Sequence, residues 1–155
     1  MPVDQITNPT AQESEAYISG GRVVEYYQFD SAGSGTMPNG TLVTLQALTS
    51  PSVGPALIRQ STTTADFKML GVVTNAPTGG YLPGQVVEVC VEGFCLALFD
   101  AHNTTQGHLG LQSVTTAGSL VDSATATLGQ TMCTVLETVV IAAGTALVPV
   151  YVHKM

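Results

Sequence analysis

The chain contains no tryptophan, and only four of its 155 residues are cationic: Arg22, Arg59, Lys68 and Lys154. Nucleic-acid phosphates and anionic lipid headgroups are held by clusters of Lys and Arg. Four scattered cations against eleven acids, for a net charge of −7, make no such cluster. Neither a nucleic acid nor a membrane surface is an expected partner. Apolar runs reach about 5–8 residues, far below the ~20 that a spanning helix needs. The opening MPVDQITNPT has neither the basic segment nor the apolar core of a secretory signal, so synthesis in a cytoplasm is expected. Charged residues are also scarce, at 10%, where about 25% is usual. So little charge suits a surface that is largely covered in an assembly better than one facing water alone.

The missing polarity is supplied by 21 Thr and 10 Ser, beside a 45% apolar fraction. β-Branched Thr suits the solvent face of a strand. Short Val- and Leu-rich runs recur along the chain, bounded by Gly, Pro, Ser or Thr, which is the punctuation of a compact all-β domain. Strands are expected at Arg22–Phe29, Leu42–Leu48, Ala56–Gln60, Phe67–Thr74, Met132–Val139 and Ala146–Val152. A hairpin is expected from His108–Val114 and Ser119–Val121 around the turn Thr115–Gly118. No long helical periodicity is present. The length fits one domain: a single small antiparallel β-barrel or sandwich of about 8–10 strands over residues 20–155.

Residues 1–19 differ from the rest. Pro2 and Pro9 interrupt them, and Val3, Ile6, Tyr17 and Ile18 are isolated apolar positions among polar ones. Frayed ends are the default for chain termini. The alternative is an extended arm that orders against a partner, reaching about 60 Å when fully extended.

Glu92-Gly93 is a two-residue turn signal between Val86–Val91 and Phe94–Phe99. In a hairpin of that register Val91 faces Phe94, Val89 faces Leu96 and Val87 faces Leu98, making one apolar core face. Cys90 then sits opposite Cys95 as a cross-strand pair, with Cα atoms about 4.5 Å apart. A reducing cytoplasm keeps such a pair as thiols, whereas a virion surface permits a bridge. The CVEGFC spacing is neither a CxxC redox motif nor a zinc knuckle. Cys133 is expected to be a buried small hydrophobe.

Asp100, His102 and His108 share the loop DAHNTTQGH. A metal site wants three or four converging ligands, and a polar loop with exposed histidines is the commoner outcome. No GxSxG elbow or phosphate-loop GK[ST] follows the glycines at 33–35. No catalytic residue, metal ligand or cofactor-binding residue is assigned, and an enzyme is not expected.

The succession GVVTNAP…PGQVVEVCVEG, then TTAGSLVDS, then TVLETVV…AGTALVPVYV resembles the decoration (cement) proteins of tailed-phage capsids. The matching positions are Gly71–Val73, Gly84–Val89, Gly93, Thr116–Val121, Leu136–Glu137 and Val148–Val152, spread over the C-terminal half. The resemblance implies a small β-barrel or sandwich, trimeric, bound to the major capsid protein on the outside of the head. It implies no catalytic residues. Within that reading the arm, with Val3, Ile6, Pro9, Tyr17 and Ile18, becomes a capsid grip. The alternative is a carbohydrate- or ligand-binding β-module, for which Tyr26, Tyr27 and Phe29 are the nearest aromatic cluster. Their spacing along one strand alternates them between core and surface.

Overall fold

The computed structural model describes residues 21–46, 56–64, 68–127 and 131–153. The expected arm at 1–19, with Val3, Ile6, Pro9, Tyr17 and Ile18, and the expected loop at 50–54 lie outside the described residues. Among those described, all regular structure is β. The strands are β1 Arg22–Phe29, β2 Leu42–Leu45, β3 Leu57–Gln60, β4 Met69–Thr74, β5 Val86–Phe99, β6 Leu109–Gln112, β7 Leu120–Ser123, β8 Thr131–Val135 and β9 Ala146–Val152.

They form one sheet in the order β1-β3-β2-β4-β5-β7-β6-β8-β9, with additional pairings of β1 with β5 and of β5 with β9. The additional pairings close the sheet on itself twice. β1, β3, β2, β4 and the first half of β5 make one ring, and the second half of β5 with β7, β6, β8 and β9 makes another. Closure removes the free edges that would invite aggregation. The expected small all-β barrel is therefore present, as two rings sharing their longest strand. Pairing is antiparallel apart from two short parallel contacts, β1 with β3 and β5 with β7.

β5 corrects the expected hairpin. Residues 86–99 run as one strand through Glu92-Gly93. Gly93 does adopt the positive φ that the turn signal promised, at 101°, but uses it as a hinge. Gly93 pairs with Arg22 on one side and with Val152 on the other. Val23 pairs with Glu92 and Val24 with Cys90, leaving Val91 as the extra residue of a β-bulge. Ladders to two distant strands thus replace the local turn.

The bulge also redistributes the side chains expected to share one face. Val87, Val89 and Val91 enter the first core with Phe29, Met37, Val43, Ile58 and Val73. Beyond Gly93 the alternation changes phase. Ala97 and Phe99 enter a second core with Leu120, Met132, Cys133, Val135, Val148, Val150 and Val152, while Phe94 and Leu96 turn outward. Adjacent residues serve both cores: Val43 and Val73 face the first, Leu42 and Val72 the second. Such strands need apolar residues on both faces, which accounts for the Val-Val and Leu-Val doublets.

The rings are further stitched by main-chain bonds. Leu42 N–H donates to Gly118 O at 2.8 Å, Gly118 N–H to Ser61 O at 3.0 Å, and Leu98 N–H to Gly40 O at 2.9 Å. The hairpin expected around Thr115–Gly118 is present as β6 and β7, paired from Leu109–Ser123 to Gln112–Leu120.

The strand expected over Met132–Val139 ends at Val135. The loop after β5 takes over the pairing there. Thr104 is fully buried; its hydroxyl donates to Glu137 O and accepts from Val139 N–H, both at 3.0 Å. Asn103 Oδ1 accepts from Ile141 N–H at 2.8 Å. Side-chain bonds to backbone here do the work of a ladder. Thr104→Ala is expected to cost about 1–2 kcal/mol, read from urea denaturation, with faster hydrogen exchange at the Val139 amide.

Candidate interaction surface

β5 and β9 carry an apolar face on the outside of the second ring. Their register sets Phe94 beside Tyr151, Leu96 beside Pro149 and Leu98 beside Leu147. Inward alternation of Cys95, Ala97, Val148 and Val150 leaves these six side chains on the other side of the sheet. Phe94 is 52% exposed, Leu96 47% and Leu147 43%. The Phe94 and Tyr151 rings meet edge to face, with centroids 5.1 Å apart and planes at 83°, a favourable quadrupole geometry. None of the six carries charge. Contiguous apolar surface of this kind marks an interaction site more often than an accident of composition. It was not legible beforehand because the hairpin register placed Phe94, Leu96 and Leu98 in the core.

The expected cysteine pair does not form across a hairpin, since Cys90 and Cys95 both lie on β5. The bulge puts them on the same side, and the Cys90 thiol donates to Glu92 O at 3.4 Å. Interaction with the Cys95 thiol holds the pKa of Cys90 down, while interaction with Cys90 together with burial pushes that of Cys95 up. Both are free thiols, as is Cys133. Cys133 is fully buried, and burial pushes its pKa up to about 12.

The residues of the DAHNTTQGH loop part company. Asp100 is buried and accepts from Ser113 Oγ at 2.5 Å, Thr115 Oγ1 at 2.9 Å and His102 Nδ1 at 2.7 Å. His108 Nδ1 lies 2.7 Å from Asp122 Oδ2 instead. Among the described residues no three of His, Cys, Asp and Glu converge as a metal site would require. Asp100 thus ties the end of β5 to the β6–β7 turn.

The aromatic cluster divides as its spacing indicates. Phe29 is buried in the first core, Tyr27 packs against that core, and Tyr26 is exposed with its hydroxyl 3.2 Å from Glu88 Oε2. Three aromatics pointing different ways offer no flat platform for a sugar ring.

No protein-family model and no curated protein matches the chain. A similar solved structure is the N base of head fiber gp8.5 of bacteriophage phi29. It is 12% identical with a TM-score of 0.45, over 86% of this chain and 97% of that one. A likeness at that level decides neither function nor partner.

Proposed function

We propose that this chain is a structural protein of a tailed-phage head. It is a decoration protein that binds the outer capsid surface as a homotrimer and bridges neighbouring subunits of the major capsid protein. In this reading it is made in the host cytoplasm, resides in the virion, has no enzymatic activity, and needs no cofactor, nucleic acid or membrane. The observation that supports it best is the uncharged outer face of β5 and β9 on a chain with so little charge elsewhere. Of the positions that carry the resemblance to decoration proteins, Pro149 and Tyr151 lie on that face.

A shell under internal pressure fails by separation of its subunits. A protein bound across a joint stabilises the closed shell by its own binding free energy, through ordinary linkage. An arm with apolar anchors widens the footprint by ordering on contact, and several arms on one trimer add avidity. Pro2 and Pro9 lower the cost of ordering by restricting the free chain.

Co-sedimentation with undecorated capsids tests the function. Deletion of residues 2–18 is expected to leave a folded β-domain whose capsid affinity falls at least about tenfold, or ~1.4 kcal/mol. Unchanged affinity would remove the arm from the grip, and no binding by the intact chain would refute the function.

A further inference from the structure

We propose that Asn39 is a self-modification site gated by the junction between the two rings. When the turn Pro38–Thr41 lifts off that junction, the Gly40 nitrogen displaces the Asn39 side-chain amide, and the isoaspartate product cannot lie back where Asn39 lay. The reaction takes only water, and it does not rest on capsid binding.

The chemistry starts from one dipeptide. Asn39-Gly40 is the only Asn-Gly in the chain. Glycine has no side chain to shield its nitrogen and reaches backbone angles closed to other residues, so its amide closes readily into a ring with the asparagine before it. The Gly40 nitrogen bonds to Asn39 Cγ, its proton passes to the side-chain nitrogen through water, and ammonia leaves. Water then opens the cyclic imide at either carbonyl. One opening gives aspartate on an ordinary backbone. The other gives isoaspartate, whose main chain runs through the side-chain carboxyl and is longer by a methylene. No electrons are exchanged.

The fold withholds the nucleophile. Asn39 is exposed, whereas Gly40 is buried. The Gly40 N–H donates to Val73 O at 2.9 Å, and Gly40 O accepts from Leu98 N–H at 2.9 Å. A base must therefore break a main-chain bond before the nitrogen attacks. Asn39 Oδ1 accepts from Ala76 N–H at 2.7 Å, which polarises the carboxamide as an oxyanion donor would. The electrophile is thus prepared while its attacker is held. The turn itself is closed by Thr41, whose hydroxyl donates to Pro38 O at 2.7 Å. Conversion waits on local opening of a turn bonded to β4 and β5 at once.

The same junction decides what the products can do. A Cβ added to Gly40 would meet Leu147 Cδ2 at 2.5 Å and Leu98 N at 2.8 Å, so the backbone there has no slack. Aspartate keeps the backbone length and the acceptor for Ala76. Isoaspartate lengthens the chain immediately before Gly40, and the bonds of Gly40 to Val73 and Leu98 cannot both re-form. Conversion is a one-way release of a bond that stitches the second ring to the first.

Full-length protein incubated at mildly alkaline pH, folded or in urea, gives the test, with peptide mass spectrometry and chromatography separating the two products. The folded chain is expected to convert at least about tenfold more slowly than the unfolded one, because the Gly40 amide must first open. Thr41→Val should raise both hydrogen exchange at the Gly40 amide and conversion by about two- to fivefold, the effect of one hydrogen bond, with the rate in urea unchanged. The isoaspartate form should lose exchange protection at the Gly40 and Leu98 amides, while Asn39→Asp keeps it. Equal rates in the folded and unfolded chains, a conversion rate unmoved by Thr41→Val, or an isoaspartate form with both amides still protected overturns the proposal.

Discussion

Gly93→Ala is expected to destabilise the protein by about 4 kcal/mol, a large part of the 5–15 kcal/mol that holds a domain of this kind together. Two costs add. Gly93 sits at a φ of 101°, where an L side chain is strained by about 1–3 kcal/mol. Its new Cβ would also press on Gly21 O and lie 2.5 Å from Arg22 Cα. Both are backbone atoms that no rotamer change can clear, and overpacking costs a further 1–3 kcal/mol. The damage falls where β5 passes from one ring to the other, so both rings should lose stability together. Urea denaturation with a slope of about 1–3 kcal/mol/M should show a midpoint lower by about 2 M. Gly79→Ala is the control. Gly79 has a φ of 88° with nothing within 4 Å of its added Cβ, so it reports the conformational cost alone, at about 1 kcal/mol. Equal effects at the two positions would show that β1 does not press against β5 at the hinge.

Asp100→Ala is expected to cost about 3 kcal/mol and to flatten the acid limb of the stability curve. The loss comes from stranding donors: Ser113 is buried and gives its proton to Asp100, and a buried donor without a partner carries the full desolvation penalty. Asp100→Asn keeps one carbonyl acceptor and should lose about half as much. The pH dependence has a definite sign. Burial pushes the Asp100 pKa up, but the hydrogen bonds from Ser113, His102 and Thr115 outweigh it and hold the carboxyl below its ordinary value. A carboxylate whose folded pKa is depressed binds its proton more readily when unfolded. Its contribution is therefore complete above the unfolded value, ~3.9, and vanishes as the pH falls through the lower folded value. Asp30 is shifted the same way by the Ala32 amide and by Arg59, so some acid sensitivity should remain in the variant. Stability measured from about pH 5 down to 2 checks the difference; an unchanged acid slope would mean that Asp100 is not the anchor its bonds describe.

The strands that could be read from the sequence are those whose local signals and long-range partners agree. β1 at Arg22–Phe29 and β9 at Ala146–Val152 have the expected limits, because β-branched and aromatic residues fill them and Gly, Asp or polar residues flank them. Cys133 and Phe29 are buried as their chemistry demands. The Thr115–Gly118 turn is equally local, since Ser113 and Ser119 bond across it and Gly118 supplies the positive φ.

Where local and distant preferences disagree, the long-range pairings win. Glu92-Gly93 is as good a turn as it is a hinge. The ladders to β1 and β9 offer it more hydrogen bonds and more buried area than a two-residue hairpin can, so one strand forms where two were expected. That decision moves Phe94, Leu96 and Leu98 from core to surface and makes the apolar face. It also sets Cys90 and Cys95 on one strand instead of across a turn. Composition and period report an all-β chain with little charge directly. The ring closure, the bulge and the exposed face were decided by pairings between residues far apart in the chain, which no local pattern encodes.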